Sequence, residues 1–165
     1  MIKILSEQIG RIIKSKKRLE EALNLKITNR GKEVSIVGSP EDEYIGQKVI
    51  DAINFGFLSS TALLIKTEEN VFEILNIKKY TRRKDMKTVR GRLIGTGGRT
   101  LKTLTDLSNS HVELKDNQLG IIAPANNIEA IQNGIILIIQ GSKQTNIYSF
   151  LEKNSPKPVE DLGLK

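Results

Sequence analysis

Apolar residues fall along the chain in short runs of two different periods, and the runs come in the same order twice. In the first half, Ile2-Lys3-Ile4-Leu5 opens as an alternating stretch of strand type. Ile9, Ile12 and Ile13 then share one side of a helical stretch, and Leu19, Ala22 and Leu23 predict a second short helix. Two strands, 25–28 and 34–37, are joined through Asn29-Arg30-Gly31, a composition suited to a hairpin turn. A long helix starts at Ser39-Pro40, with Ser39 as N-cap and Pro40 in the first turn. Glu41, Asp42 and Glu43 lie near its positive end, and Ile45, Val49, Ile50 and Ile53 face inward. Gly56 ends it, Ser59-Ser60 are read as caps of a short helical piece over 61–65, and Thr67-Glu68-Glu69-Asn70 as a connection.

From residue 71 the order recurs. Residues 71–77 have strand character, a basic helix is expected over about 84–94, and a glycine turn separates it from a helix carrying Leu101, Leu104 and Leu107. Strands over 111–114 and 119–122 follow, joined through residues 115–118. Asn126 or Asn127 then caps a helix over 128–140 that ends at Gly141. The last turns of that helix are apolar on every side, which predicts burial between elements or between domains. Ser142 is read as the cap of a final helix with Ile147, Phe150 and Leu151 on one face, and Asn154-Ser155-Pro156-Lys157-Pro158 begins a tail. Each copy thus reads strand, helix, helix, strand, strand, helix, and two small α+β domains are expected.

Composition narrows the chemistry. The chain has 165 residues, 38% hydrophobic and 27% charged, with 4% aromatic and no Trp, so it is expected to fold around an aliphatic core. No apolar run approaches the roughly 20 residues that a bilayer span needs, the N-terminus lacks a signal-peptide core, and there is no Cys. A cytoplasmic location and no membrane partner are therefore expected. One His and no cluster at ligand spacing argue against a metal site, and no cofactor is expected.

The net charge of +7 is unevenly placed. Lys+Arg against Asp+Glu is 9 to 4 over residues 1–38, 2 to 7 over 39–77, 10 to 1 over 78–102 and 5 to 7 over 103–165. A basic block is often only a solvated face. Here the denser block runs directly into Leu93-Ile94-Gly95-Thr96-Gly97-Gly98-Arg99-Thr100, a turn of the kind that holds phosphate.

A mononucleotide P-loop does not fit that turn. Its earlier glycine would fall on Leu93, and its lysine is replaced by Arg99. A dinucleotide fingerprint fails too, because position 100 is Thr and a basic helix, not a strand, precedes the turn. A plain interhelical turn remains open. So does a Gly-x-x-Gly clamp between two short helices at Gly95-Thr96-Gly97-Gly98. There, three positions without Cβ let a sugar-phosphate backbone come close, and the amides and the next helix's positive end face it. Lys87, Arg90, Arg92, Arg99 and Lys102 flank the turn as candidate phosphate partners, with Ile94 and His111 as candidate walls for bases. His111 taken alone reads first as an ordinary strand residue.

The run from Arg90 to Leu107, Arg-Gly-Arg-Leu-Ile-Gly-Thr-Gly-Gly-Arg-Thr-Leu-Lys-Thr-Leu-Thr-Asp-Leu, resembles the Ile-Gly-x-x-Gly-x-x-x-x-x-Ile signature of type I KH domains. About residues 2–153 resemble the two-KH ribosome biogenesis factors known as partner of Nob, especially their archaeal counterparts. Supporting runs are Gln-Ile-Gly-Arg-Ile-Ile-Lys near the start, Ala-Ile-Asn-Phe-Gly-Phe at 52–57, and Leu-Ile-Ile-Gln-Gly-Ser-Lys-Gln-Thr-Asn-Ile-Tyr-Ser-Phe-Leu-Glu-Lys at 137–153. The resemblance implies an α+β chain of two tandem type I KH domains, each βααββα with a three-stranded antiparallel sheet packed against helices. The expected boundaries are 1–69, 70–153 and a tail over 154–165. It further implies a monomeric, non-enzymatic adaptor that binds the single-stranded 3′ region of small-subunit rRNA and assists its 3′-end maturation. The implied protein partners are a Nob-type endonuclease and the α subunit of translation initiation factor two.

The two copies differ at the turn. The first has Lys14-Ser15-Lys16-Lys17 where the glycines would be, and 12 residues from Ile13 to Leu25 against 18 from Ile94 to Val112. Its glycines and at least one helical turn are missing, so Lys14, Lys16, Lys17 and Arg18 are expected to attract phosphate without clamping it. Two rivals stay open: a transcription or translation factor with KH domains of the other topology, and a protein-interaction module using the apolar helix at 128–139 without RNA.

Overall fold

A computed structural model describes residues 1–154. The first copy comprises β1 (Ile2–Leu5), α1 (Ile9–Lys14), α2 (Lys16–Leu23), β2 (Lys26–Arg30), β3 (Glu33–Val37) and α3 (Pro40–Phe55), followed by two single turns, α4 (Ser59–Ala62) and α5 (Leu64–Thr67). The second has β4 (Asn70–Asn76), α6 (Met86–Ile94), α7 (Arg99–Ser108), β5 (His111–Lys115), β6 (Gln118–Pro124), α8 (Ile128–Ile139) and α9 (Gln144–Asn154), with 3-10 turns at Ile77–Tyr80 and Thr96–Gly98. Each copy forms a three-stranded antiparallel sheet, ordered β1-β3-β2 in one and β4-β6-β5 in the other. In each, the strand that comes last in sequence is central, and the pair that follows the helices is a hairpin.

Several expectations about local chemistry are met. Ser39 Oγ accepts from the Asp42 amide at 3.1 Å with Pro40 in the first turn of α3, and Gly56 leaves that helix at φ +135°. Others are corrected. The first hairpin turns at Gly31-Lys32, since Arg30 still pairs with Glu33 and Gly31 takes the left-handed conformation at φ +59°. Ser59 and Ser60 lie inside α4, whose N-cap is Leu58 with no side-chain bond. Asn127 occupies the N-cap position of α8 but does not cap it; its Nδ2 donates instead to the Ser108 carbonyl. The final helix begins at Gln144, two residues after Ser142. The basic helix α6 begins at Met86, capped by Asp85. The tail lies outside the described residues apart from Asn154.

Each copy has its own aliphatic core: Leu19, Ile27, Ile36, Val49, Ile50 and Ile53 in one, Val89, Leu93, Leu104, Ile121, Ile131 and Ile135 in the other. The apolar helix α8 is spent within the second core, where Gly134 lets Leu151 of α9 approach to 3.0 Å of a Cβ position. It is therefore largely buried between elements of one copy, with Ile128, Ile136 and Leu137 partly exposed. The copies meet through the back of the second sheet. Ile122 and Phe72 join the first core, and Phe55, Phe57 and Phe72 form a ring cluster with centroids 5.9–6.2 Å apart. Gly120 makes room for it: a Cβ there would stand 2.7 Å from Phe55 and 3.0 Å from Phe57. Because both faces of β6 are covered, its run Leu-Gly-Ile-Ile-Ala is continuously buried instead of alternating.

Candidate functional site

The glycine turn projects from the second copy between α6 and α7. Gly95 holds φ +74° and ψ 174°, a combination essentially restricted to glycine. A Cβ on it would overlap Thr100 Oγ1 and stand 2.8 Å from the Thr100 amide nitrogen. Gly97 and Gly98 are left-handed at φ +62° and +75°, and a Cβ on either would point into open space. Gly95 is thus demanded by internal packing, whereas Gly97 and Gly98 keep an outer surface bare. The Gly95 amide donates to the Gly91 carbonyl and the Gly98 amide to the Gly95 carbonyl, at 2.8 and 3.2 Å. Thr96 and Gly97 form the exposed tip, and their amides precede any acceptor in the 3-10 turn. Beyond it starts α7, whose N-cap Gly98 supplies no side-chain bond, leaving its positive end toward the turn.

The flanking cations divide into sets. Lys87, Arg90 and Ile94 lie along one flank of α6 at helical spacing, all at least partly exposed, and Arg90 Nη1 reaches the Asp116 carbonyl of the β5–β6 turn at 3.5 Å. Arg99 and Lys102 stand exposed on the outer face of α7. Among the described residues none of these cations has a carboxylate within salt-bridge distance, so their charge is available to an anion.

Arg92 does not join them. It lies on the opposite flank of α6, its Nη1 3.0 Å from the Cβ position of Gly141 at the end of α8. The first copy explains why. Gly10-Arg11-Ile12-Ile13 in α1 corresponds to Gly91-Arg92-Leu93-Ile94 in α6, with Ile12 and Leu93 buried and Ile13 and Ile94 at 49% and 39% exposure. Arg11 donates to the Gly56 and Phe57 carbonyls at 2.8 and 3.1 Å, just past α3. Both arginines therefore stand beside the negative end of their copy's third helix, which places Arg92 apart from the cations that flank the turn.

His111 is corrected as well. It pairs with Ile122, so its side chain belongs to the face of the sheet turned toward the first copy, away from Ile94. It lines an open cleft of about 500 Å³ with Leu58, Thr61, Asp106, Asn109 and Glu113. Burial pushes the Glu113 carboxyl above its ordinary range, with the Arg11 guanidinium pulling the other way. Sequence reasoning missed this cleft because its walls come from two copies. The available signal was the grouping of Phe55, Phe57 and Phe72 opposite a mid-strand glycine.

At the equivalent place in the first copy, α1 and α2 meet at the single residue Ser15, whose amide bonds to the Arg11 and Ile12 carbonyls. No glycine tip exists there. Lys14, Lys17 and Arg18 are exposed and Lys16 half-buried.

The pattern of a eukaryotic-type KH domain (KH-domain type I), in the form of the second domain of PNO1, matches residues 71–156. The chain is 23% identical to a KH domain-containing protein of Methanocaldococcus jannaschii, covering 95% of this chain and 74% of that one. It is 28% identical to RNA-binding protein pno1 of Drosophila pseudoobscura pseudoobscura, covering 78% of this chain and 58% of the insect protein, and so spans less than two thirds of that relative. Dim2p of Pyrococcus horikoshii OT3 superimposes with a TM-score of 0.82 at 25% identity over 92% of this chain and 98% of that one. A chain of the a/eIF2α–aDim2p–rRNA complex from the same organism gives 0.80 at 25% identity, over 92% of each chain.

Proposed function

The chain belongs to the type I KH family in its PNO1 (partner of Nob) form, and on that basis we propose that it is a non-catalytic, RNA-binding adaptor of small ribosomal subunit biogenesis. It grips about four nucleotides of single-stranded RNA near the 3′ end of small-subunit rRNA and assists maturation of that end in the cytoplasm. The observation that carries this reading is the turn: Gly97 and Gly98 are bare toward solvent, at the positive end of α7, between unpaired cations on α6 and α7. Phosphates lie against Gly95–Gly98 with Arg90, Arg99, Lys87 and Lys102 neutralising them, and bases lie along the Ile94 side. The first copy, residues 1–69, is a KH domain that has lost its clamp, and its Lys14–Arg18 junction adds attraction that does not depend on sequence. A Nob-type endonuclease and the α subunit of translation initiation factor two are the protein partners that fit. The relatives support this reading, one being named for RNA binding and another occurring in a complex with rRNA and that initiation factor.

The test is a Thr96→Asp/Gly97→Asp variant titrated with single-stranded RNA. Two carboxylates at the exposed tip repel phosphate, so affinity is expected to fall by more than tenfold. Unchanged affinity would refute the clamp.

A further inference from the structure

We propose that the surface around Tyr80 is a second nucleotide site, separate from the glycine turn, which takes an adenine nucleotide with its phosphate among Arg82, Arg83 and Arg92 and its base among side-chain amides. It lies on the flank of α6 that Arg92 occupies, opposite Arg90, and does not depend on the reading of Gly95–Gly98 as a clamp.

The phosphate half is a pocket of about 500 Å³ between the link from β4 to α6 and the end of α8. Three guanidinium groups line it and no carboxylate does. Residues 78–84 hold five cations and no acid, and among the described residues none of Arg82, Arg83 and Arg92 has a carboxylate within salt-bridge distance. Asp85, the next acid along the chain, is engaged with Thr88. The Thr81 hydroxyl accepts from the Arg83 amide at 3.2 Å, a turn that leads into α6 with Arg82 and Arg83 both exposed. Fork-shaped donors gathered on one pocket without a carboxylate suit phosphate oxygens.

Tyr80 belongs also to a second pocket of about 450 Å³, so its side chain, in a residue 36% exposed, is a wall common to both. There the amides of Asn76, Gln118, Gln132 and Asn133 dominate the polar lining, with Lys79 the charged member. An amide presents a donor and an acceptor together, the pair that matches adenine's amine and its adjacent ring nitrogen. Helix α8 underlies both halves: Gln132 and Ile136 line the amide pocket, Ile139 and Gln140 the arginine pocket, at i, i+4, i+7 and i+8 on one helical face. That stretch is about 12 Å long, the reach of one nucleotide. An acidic peptide would engage the arginines but leave the tyrosine ring and the amide pocket without a role, whereas a nucleotide uses all three.

The experiment is calorimetric titration of the full chain with ATP, UTP and inorganic tripolyphosphate. ATP is expected to bind about fivefold tighter than UTP, and Gln132→Ala/Asn133→Ala to bring the two within about twofold. Arg82→Gln/Arg83→Gln should weaken ATP binding by about tenfold or more; both side chains are exposed, so folding is not at stake. ATP affinity unaltered in the arginine variant overturns the proposal, and tripolyphosphate binding as tightly as ATP overturns it too, by reducing the site to an anion pocket. Thr96→Asp/Gly97→Asp keeps the two sites apart: it should lose single-stranded RNA at the turn yet bind ATP as before, whereas loss of ATP as well puts the nucleotide at the glycine turn and overturns the second site. In that same variant a 5′-phosphorylated oligoadenylate tetramer identifies the source. Tighter binding than ATP assigns the site to a nucleotide of a second RNA segment, weaker binding to a free nucleotide, and either outcome supports it.

Discussion

Replacing Gly95 by alanine should damage the fold, whereas the same change at Gly97 should damage mainly the approach to the turn. At Gly95 two costs add. The backbone pair φ +74°, ψ 174° excludes side chains, a penalty of about 1–3 kcal/mol. The new methyl would also press on Thr100, whose amide nitrogen at 2.8 Å belongs to the first turn of α7 and cannot rotate away; such overpacking costs about 1–3 kcal/mol more. The sum, about 2–6 kcal/mol, corresponds to a fall in melting temperature on the order of 10 °C for a chain of this size. At Gly97 only the left-handed cost of about 1 kcal/mol applies, because nothing lies within 4 Å of the added carbon. Melting of the two variants followed by circular dichroism, with hydrogen exchange over α6 and α7, checks the difference. If Gly97→Ala destabilises as much as Gly95→Ala, the division between a packed glycine and a bare one is wrong.

Three further outcomes are expected. Gly120→Val should cost about 1–3 kcal/mol by forcing apart Phe55 and Phe57, and pairing it with Phe55→Ala should recover part of that loss in a double-mutant cycle. Asp85 accepts from the Thr88 hydroxyl and amide, which holds its carboxyl below the ordinary 3.8. Its contribution to α6 is therefore present above about pH 4 and lost as pH falls through the depressed value, and Asp85→Asn should flatten acid melting curves there. Lys87→Ala/Arg90→Ala should make the slope of log affinity for single-stranded RNA against log salt shallower by about 1.4, while Lys115→Ala, on the far face of β5, should leave it within 0.3.

The order of elements was legible because it rests on period and punctuation: Ser39-Pro40, Gly56, the helix-period leucines of α7 and the turn glycines each act locally. The glycine turn between α6 and α7 was legible for the same reason. What escaped were choices made by tertiary contact. Arg90 and Arg92 are adjacent in sequence, yet helical geometry sends one toward the β5–β6 turn and the other to the end of α8. Alternation placed His111 on a strand but could not say which face would be covered by another copy. Asn127 holds the position of a cap, but its side chain is drawn to the Ser108 carbonyl.

The ring cluster of Phe55, Phe57 and Phe72 bears on the order in which the chain is made. The first core draws on Ile122, so when the first 70 residues have emerged from a ribosome their sheet and helices can form but one side of the core stays open. At about 5–20 residues per second, the stretch from Phe72 to Ile122 takes several seconds to follow. During that interval Phe55 and Phe57 are without their cover, a window for chaperone capture or misassociation that closes only when β6 is complete. Slowing translation between codons 72 and 122 should therefore lower soluble yield more than slowing it after codon 124.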